Sequence, residues 1–138
     1  MRILLSIKPE YAFQIFDGAK KYEYRRAIFK RRDVQKVVVY ASSPVQRVIG
    51  EFDIDSVIEA TPQKLWRETR KHAGVSRKEF LEYFAGTNIG YAIRVKNCRR
   101  YNMPVIIEDC LRTSPPQSFY YLKDDVLVLE GTTPRSLV

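Results

Sequence analysis

Cysteine and histidine are nearly missing from this sequence. Cys98 and Cys110 are the only cysteines and His72 is the only histidine in 138 residues. A structural zinc site wants about four such ligands, so neither a metal centre nor a cofactor is expected. Two cysteines make no disulfide framework, and a reduced, cytosolic setting is the simpler reading. Apolar runs are short as well. None reaches the ~18 residues of a membrane span, so no membrane role is expected. Met1–Lys8 reads as a strand, too short for a signal peptide. There is no internal repeat, linker or low-complexity segment, and the length suits one compact domain.

What the chain has in excess is positive charge. Lys and Arg number 24 against 16 Asp and Glu, for a net charge of +8. Hydrophobic residues make up 45%, enough for a single core, and the aromatic 12% is mostly Tyr and Phe. A basic domain of this size suits polyanions, with nucleic acid ahead of an acidic membrane surface.

The order of elements follows from local pattern. Arg2–Ile7 is apolar and branched, a buried strand. Pro9 suits the first turn of a helix, since its missing N–H is not needed there. Ala12, Ile15, Phe16 and Ala19 recur on one helical face, and Gly18 can end that helix in a left-handed conformation. Lys36–Ala41 is a second buried strand and Ser42–Pro44 a turn. Arg47–Ile58 reads as a long strand in which Gly50 marks a bulge or bend. Thr61 and Pro62 open a helix running through Leu65 and Trp66 to about His72, with Gly74 ending it. Trp66 reads as a core residue and His72 as a surface one. Ser76 and Glu79 have capping-box spacing ahead of a short helix with Phe80, Tyr83 and Phe84 on its apolar face, closed by Gly86. Tyr91–Lys96 alternates as a strand. Val105–Leu111 is ambiguous, and "SPPQSFYYL" is a rigid turn followed by aromatics. Residues 1–122 read as the domain. Residues 123–138 read as an extension holding one further strand, Val126–Leu129, and a frayed tail from Thr132. The fold class expected is α+β, a small curled sheet or barrel with peripheral helices.

The stretch "GAKKYEYRR", Gly18–Arg26, carries the densest early charge. As a strand it splits by period two. Tyr22, Tyr24 and Arg26 take one side, while Lys21, Glu23 and Arg25 take the other. On that model Arg25 and Arg26 cannot serve one pocket.

The run "SIKPEYAFQIFDGAKKYEYRR" resembles the signature of activating signal cointegrator homology (ASCH) domains, members of the PUA-like superfamily. Gly18, Lys20, Glu23 and Arg25 fill its Gly-x-Lys-x-x-Glu-x-Arg positions. "YASSPVQRVIGEF" and "PPQSFYYL" are similar to stretches of a prokaryotic branch described as predicted regulators. The resemblance implies a PUA-like mixed β-barrel with a cleft between barrel and first helix, where related domains bind RNA, DNA or a modified base. Some bacterial members act as ribonucleases or as amidohydrolases on acetylated cytidine. The amidohydrolase-like members pair the lysine with a threonine and a later glutamate. Here Glu23 stands at the threonine position, and Glu68 and Glu79 flank the place of the later glutamate, near Ala73 and Gly74. That departure counts against deacetylation.

Each candidate residue has a plain reading beside its functional one. Lys20 and Lys21 suit a solvated pair at a helix end. Lys20 also matches the family lysine, able to neutralise a phosphate or act as a base. Glu23 can simply pair with Arg25, read a base edge, or do acid–base work. Arg25 and Arg26 have forks that match phosphate. Lys8 sits at a strand–helix join where free N–H groups suit an anion. Ser42 and Ser43 follow a buried strand, and Ser118 and Tyr120 follow the Pro-Pro turn. Lys30, Arg31 and Arg32 form a basic loop that is either solvated or tracks a phosphate backbone. The first reading is a nucleic-acid or modified-nucleotide binding module, with single-stranded RNA favoured over DNA. It would act as a transcription or translation regulator, beside a separate DNA-binding partner if one exists. The alternative is a small metal-independent hydrolase, a ribonuclease or acylated-cytidine amidohydrolase, using Lys20, Glu23 and Ser118.

Overall fold

The computed structural model describes residues 1–108, 115–116 and 118–122. The expected strand Val126–Leu129 and the tail from Thr132 lie outside the described residues, as do residues 109–111 of the ambiguous segment. The described elements run β1 (Arg2–Ile7), α1 (Pro9–Asp17), β2 (Tyr22–Arg25), β3 (Lys36–Ala41), β4 (Arg47–Ala60), α2 (Pro62–Thr69), α3 (Arg77–Tyr83), β5 (Gly90–Val105) and β6 (Phe119–Leu122). The strands form one mixed sheet in the order β2-β5-β4-β3-β1-β6. β1 and β3 are parallel, and the other pairings are antiparallel.

The central strands are buried on both faces, which is why they read as unbroken apolar runs. Alternate residues go to different cores. Ile3, Leu5, Ile7, Val37 and Val39 pack with Ala12 and Ile15 of α1. Leu4, Val38 and Tyr40 turn the other way, against Val48, Tyr101, Val105 and Leu122. A third cluster joins Tyr22 and Tyr24 to Leu65, Phe80, Phe84 and Ala92 under α2 and α3.

Local signals set the element ends. Gly18 closes α1 at φ 91°, with its N–H on the Ile15 carbonyl. Thr61 caps α2 through the Lys64 N–H, and Ser76 and Glu79 form a complete capping box. α2 ends at Thr69, and Arg70–His72 tighten into a 3₁₀ turn, so the expected single helix to His72 is divided. The bulge expected at Gly50 is present, where β4 shifts register against both neighbours. A Cβ there would lie 2.6 Å from the Arg99 carbonyl oxygen and 2.7 Å from the Phe16 ring. Two strands run further than their patterns suggest. β4 continues to Ala60, and β5 runs 16 residues rather than stopping near Lys96.

Candidate functional site

The two edges of the sheet, β2 and β6, do not hydrogen-bond to each other among the described residues. Instead the sheet curls until Arg25 on β2 reaches the far edge. Its guanidinium donates to the Ser6 carbonyl at 3.4 Å and to Ser118 Oγ at 2.7 Å, while Ser6 N–H donates to the Ser118 carbonyl at 2.9 Å. Beside this seam lies a cleft of ≈ 1000 Å³, walled by the start of α1, β2 and α3.

Lys20 enters the cleft because α1 stops at Gly18. The Lys20 N–H then turns back to the Gln14 carbonyl before Lys21 joins the ladder to Val95. Its side chain is 1% exposed. Nζ donates to the Ala73 carbonyl at 2.6 Å and faces the Tyr24 ring at 4.6 Å and the Tyr11 ring at 5.3 Å. Burial pulls its pKa down to about 8, against the opposing pull of Glu23 and Glu79. Gly74 makes room for this stem. It sits at φ 68°, and a Cβ there would lie 2.7 Å from both Cβ and Cγ of Lys20.

Glu23 is buried, and burial raises its pKa while Arg25 and Lys20 hold it down. Its Oε2 accepts from Arg25 at 3.1 Å. Ionised cations on both sides therefore face a carboxyl that desolvation pushes toward neutrality. Across the cleft Glu79 is held low, chiefly by the Ser76 backbone and side chain, with a further hydrogen bond from Tyr11 at 3.1 Å. Tyr11 is pushed up to about 12 by burial and by Glu79. The cleft thus gathers a cation of lowered pKa, a carboxyl of raised pKa, a phosphate-matching fork and a hydroxyl. That set can hold an anion and exchange protons with it.

Of the residues singled out in the sequence, Lys8, Lys20, Glu23, Arg25, Arg26, Ser42 and Ser118 line the cleft. Arg26 corrects the strand argument. β2 ends at Arg25, so alternation no longer applies and both arginines reach the same cleft. Tyr22 and Tyr24 do pack inward, but their opposite face is not a solvated edge: Glu23 is buried and Arg25 half-buried, leaving Lys21 exposed. Lys21, Ser43 and Tyr120 lie outside the lining. The Tyr120 hydroxyl donates to the Pro115 carbonyl at 3.5 Å. Lys30 and Arg31 sit against β6, where the Tyr121 hydroxyl accepts their N–H groups at 2.9 and 3.2 Å, and Arg32 is exposed beside them. Arg31 also pairs with Asp33. His72 is exposed and Trp66 packs on the third core, as the pattern indicated.

Sequence reasoning passed over Tyr11 and Tyr83 as cleft residues, and it left Glu79 as one of two flanking glutamates. The fold separates those two: Glu79 lines the cleft, while Glu68 faces Lys64 on the outer side of α2. Among the described residues no group of three His, Cys, Asp or Glu is placed to hold a metal ion. No helix among them is long and apolar enough to cross a membrane.

Known proteins share this arrangement. A curated relative from Zymomonas mobilis, an "ASCH domain-containing ribonuclease", is 28% identical over 125 residues, covering 88% of this chain and 84% of its own. The large ribosomal subunit protein uL22 of Ureaplasma parvum is 31% identical over 121 residues, again 88% of this chain. The chain spans only 39% of that protein's length. The crystal structure of ASCH from Zymomonas mobilis superposes with a TM-score of 0.83 at 26% identity, covering 90% of this chain and 89% of that one. The mixed, curled sheet with flanking helices is accordingly the PUA-like α+β fold that the Gly18–Arg25 signature implied. Since the ASCH domain profile matches residues 5–121, nearly the whole of the described chain, this protein belongs to the ASCH domain family.

Proposed function

We propose that this domain binds single-stranded RNA in the seam cleft and cleaves it there. The observation that carries the reading is Lys20, an almost fully buried ammonium with its pKa lowered to about 8, set against Glu23 and Arg25. Simple retention of a polyanion needs only exposed cations. Burying a lysine beside a buried carboxyl is costly, and such pairs concentrate where protons are moved. The Zymomonas relative that matches over most of both chains is named a ribonuclease, which supports the same direction.

In this reading Arg25 and Ser118 Oγ hold the phosphodiester, Arg25 exchanging its Ser118 contact for a phosphate oxygen. Glu23, its pKa raised by burial against the opposing pull of Arg25 and Lys20, takes the proton from the attacking hydroxyl. Lys20, protonated at neutral pH but close to its titration, gives a proton to the leaving oxygen. Lys8, Lys30 and Arg32 extend the positive surface for the remaining phosphates, which makes binding salt-dependent.

A second reading has a specific observation behind it. Arg25 is already satisfied by Glu23, Ser6 and Ser118, a rigid arrangement that suits holding a nucleotide without changing it. One experiment separates the two. Labelled single-stranded RNAs and acetylated cytidine are incubated with wild type and Lys20→Ala in EDTA, and binding and products are both followed. RNA cleavage lost in Lys20→Ala, with the fold intact, supports cleavage. Salt-sensitive binding with no product from any substrate identifies a holding module. Binding unchanged in both Lys20→Ala and Arg25→Ala would remove the cleft from either reading.

A further inference from the structure

The roles above leave one pair in the cleft unused. Tyr83, the last residue of α3, lines the cleft while staying 36% exposed. The apolar pattern of α3 placed it with Phe80 and Phe84 in the core, but those two are buried and Tyr83 is not. Its ring is fixed from behind. It meets Phe84 edge-on at 4.9 Å, Phe84 meets Phe80 at 4.7 Å, and Phe80 packs on both Trp66 and Tyr24 at 5.0 Å. The Arg26 guanidinium lies over the same ring, 4.9 Å from its centroid.

These contacts set an open aromatic face, a cation already drawn to it and an anion-holding fork side by side. Arg26 directly follows Arg25, so the stacked fork and the phosphate fork start from Cα atoms about 3.8 Å apart. Within one nucleotide the phosphate and the base are similarly tied by a short sugar. A base offers π-surface to a tyrosine and to a guanidinium alike.

We propose that Tyr83 and Arg26 clasp the nucleobase next to the phosphate held at Arg25, the ring on one face and the guanidinium on the other. Arg26 lifts from the ring as the base slides in. The clasp reads stacking surface, so purines are favoured over pyrimidines at that one position. This rests on the RNA reading of the cleft, but not on whether the RNA is cut.

The test uses short single-stranded RNAs carrying 2-aminopurine at successive positions, whose fluorescence falls when the base stacks on tyrosine. Wild type, Tyr83→Phe, Tyr83→Leu and Arg26→Ala are titrated, with far-UV dichroism checking that each is folded. The expected result is quenching at one position in wild type and in Tyr83→Phe. Tyr83→Leu should abolish that quenching and weaken binding by about tenfold or more. Arg26→Ala should weaken binding and narrow the purine preference. Quenching and affinity unchanged in Tyr83→Leu, with binding still dependent on Lys20 and Arg25, would overturn the clasp and leave the cleft reading standing. Loss of quenching in Tyr83→Phe as complete as in Tyr83→Leu would also overturn it, because the ring is retained there. Wild type that binds no RNA at low salt overturns both.

Discussion

Replacing Lys20 by methionine tests whether its ammonium is held at the expense of the fold. A depression from 10.5 to about 8 corresponds to roughly 3 kcal/mol of disfavour for the charged form. Methionine removes that burden but leaves the Ala73 carbonyl without its donor, which costs about 1–3 kcal/mol. The two nearly offset, so the variant's stability at one pH says little. Its pH dependence says more. Between about pH 8 and 10.5 the unfolded chain holds the Lys20 proton and the folded chain does not, so wild type gains stability as pH rises through that window. The gain is full above the unfolded value and is lost as pH falls through about 8. From about pH 7 to 9.5 the expected change is about 2 kcal/mol in wild type relative to Lys20→Met. Urea unfolding at both pH values measures it, followed by the fluorescence of Trp66, which packs directly on Phe80. The high-titrating Tyr11 and Tyr24 are present in both chains and largely cancel in the comparison. A stability difference that stays flat across the window would refute the account of Lys20 as a buried ammonium.

Other consequences are local. Gly74→Ala forces a left-handed backbone on alanine and drives its Cβ into the Lys20 stem, so stability should fall by about 1–3 kcal/mol. RNA turnover should fall with it as Lys20 shifts, both measured on one preparation. Ser76→Ala removes half of the capping box and should lower stability by about 1 kcal/mol in a thermal melt. Tyr121→Phe deletes the hydroxyl that accepts from the Lys30 and Arg31 amides, so hydrogen exchange at those two amides should quicken while global stability changes little.

Caps and short periods were legible in the sequence because they are decided within one turn. Pro9, Gly18, Thr61, Ser76 and Glu79 mark the same ends in the chain and in the fold. The second half of β5 was not legible. Lys96–Arg100 are all exposed, so nothing there alternates, and Asn97 adopts φ 50° at a register shift. Pairing with β4 makes it a strand, a tertiary cause with no local trace. The site divides the same way. Lys20, Glu23 and Arg25 lie within one short run and stand out through the family signature. Glu79 reaches Tyr11 across 68 residues, and only the fold, which sets α1 and α3 about one cleft, brings them together. The expectation that Arg25 and Arg26 diverge failed because it assumed a strand one residue longer than the one that forms.

The seam explains why the chemistry gathers where it does. A closed barrel would satisfy every strand edge with backbone hydrogen bonds and leave no polar opening. Among the described residues β2 spans four residues and pairs on one side, with β5, while β6, also of four, pairs with β1 alone. The gap between them needs polar cover, and a single arginine on β2 provides it by donating across to Ser6 of β1 and to Ser118 just ahead of β6. An arginine in that position faces a buried carboxyl and the stop of α1, which delivers Lys20 into the same space. Closing the sheet with side chains rather than backbone leaves donors that an incoming phosphate can borrow without unfolding a strand. Arg25→Met therefore separates the two duties of this residue. It should loosen β6, seen as faster exchange of the Ser6 amide that donates to Ser118, and should weaken RNA binding. Unchanged exchange at Ser6 would mean that β6 is held by its backbone bonds to β1 alone and that Arg25 serves only the ligand.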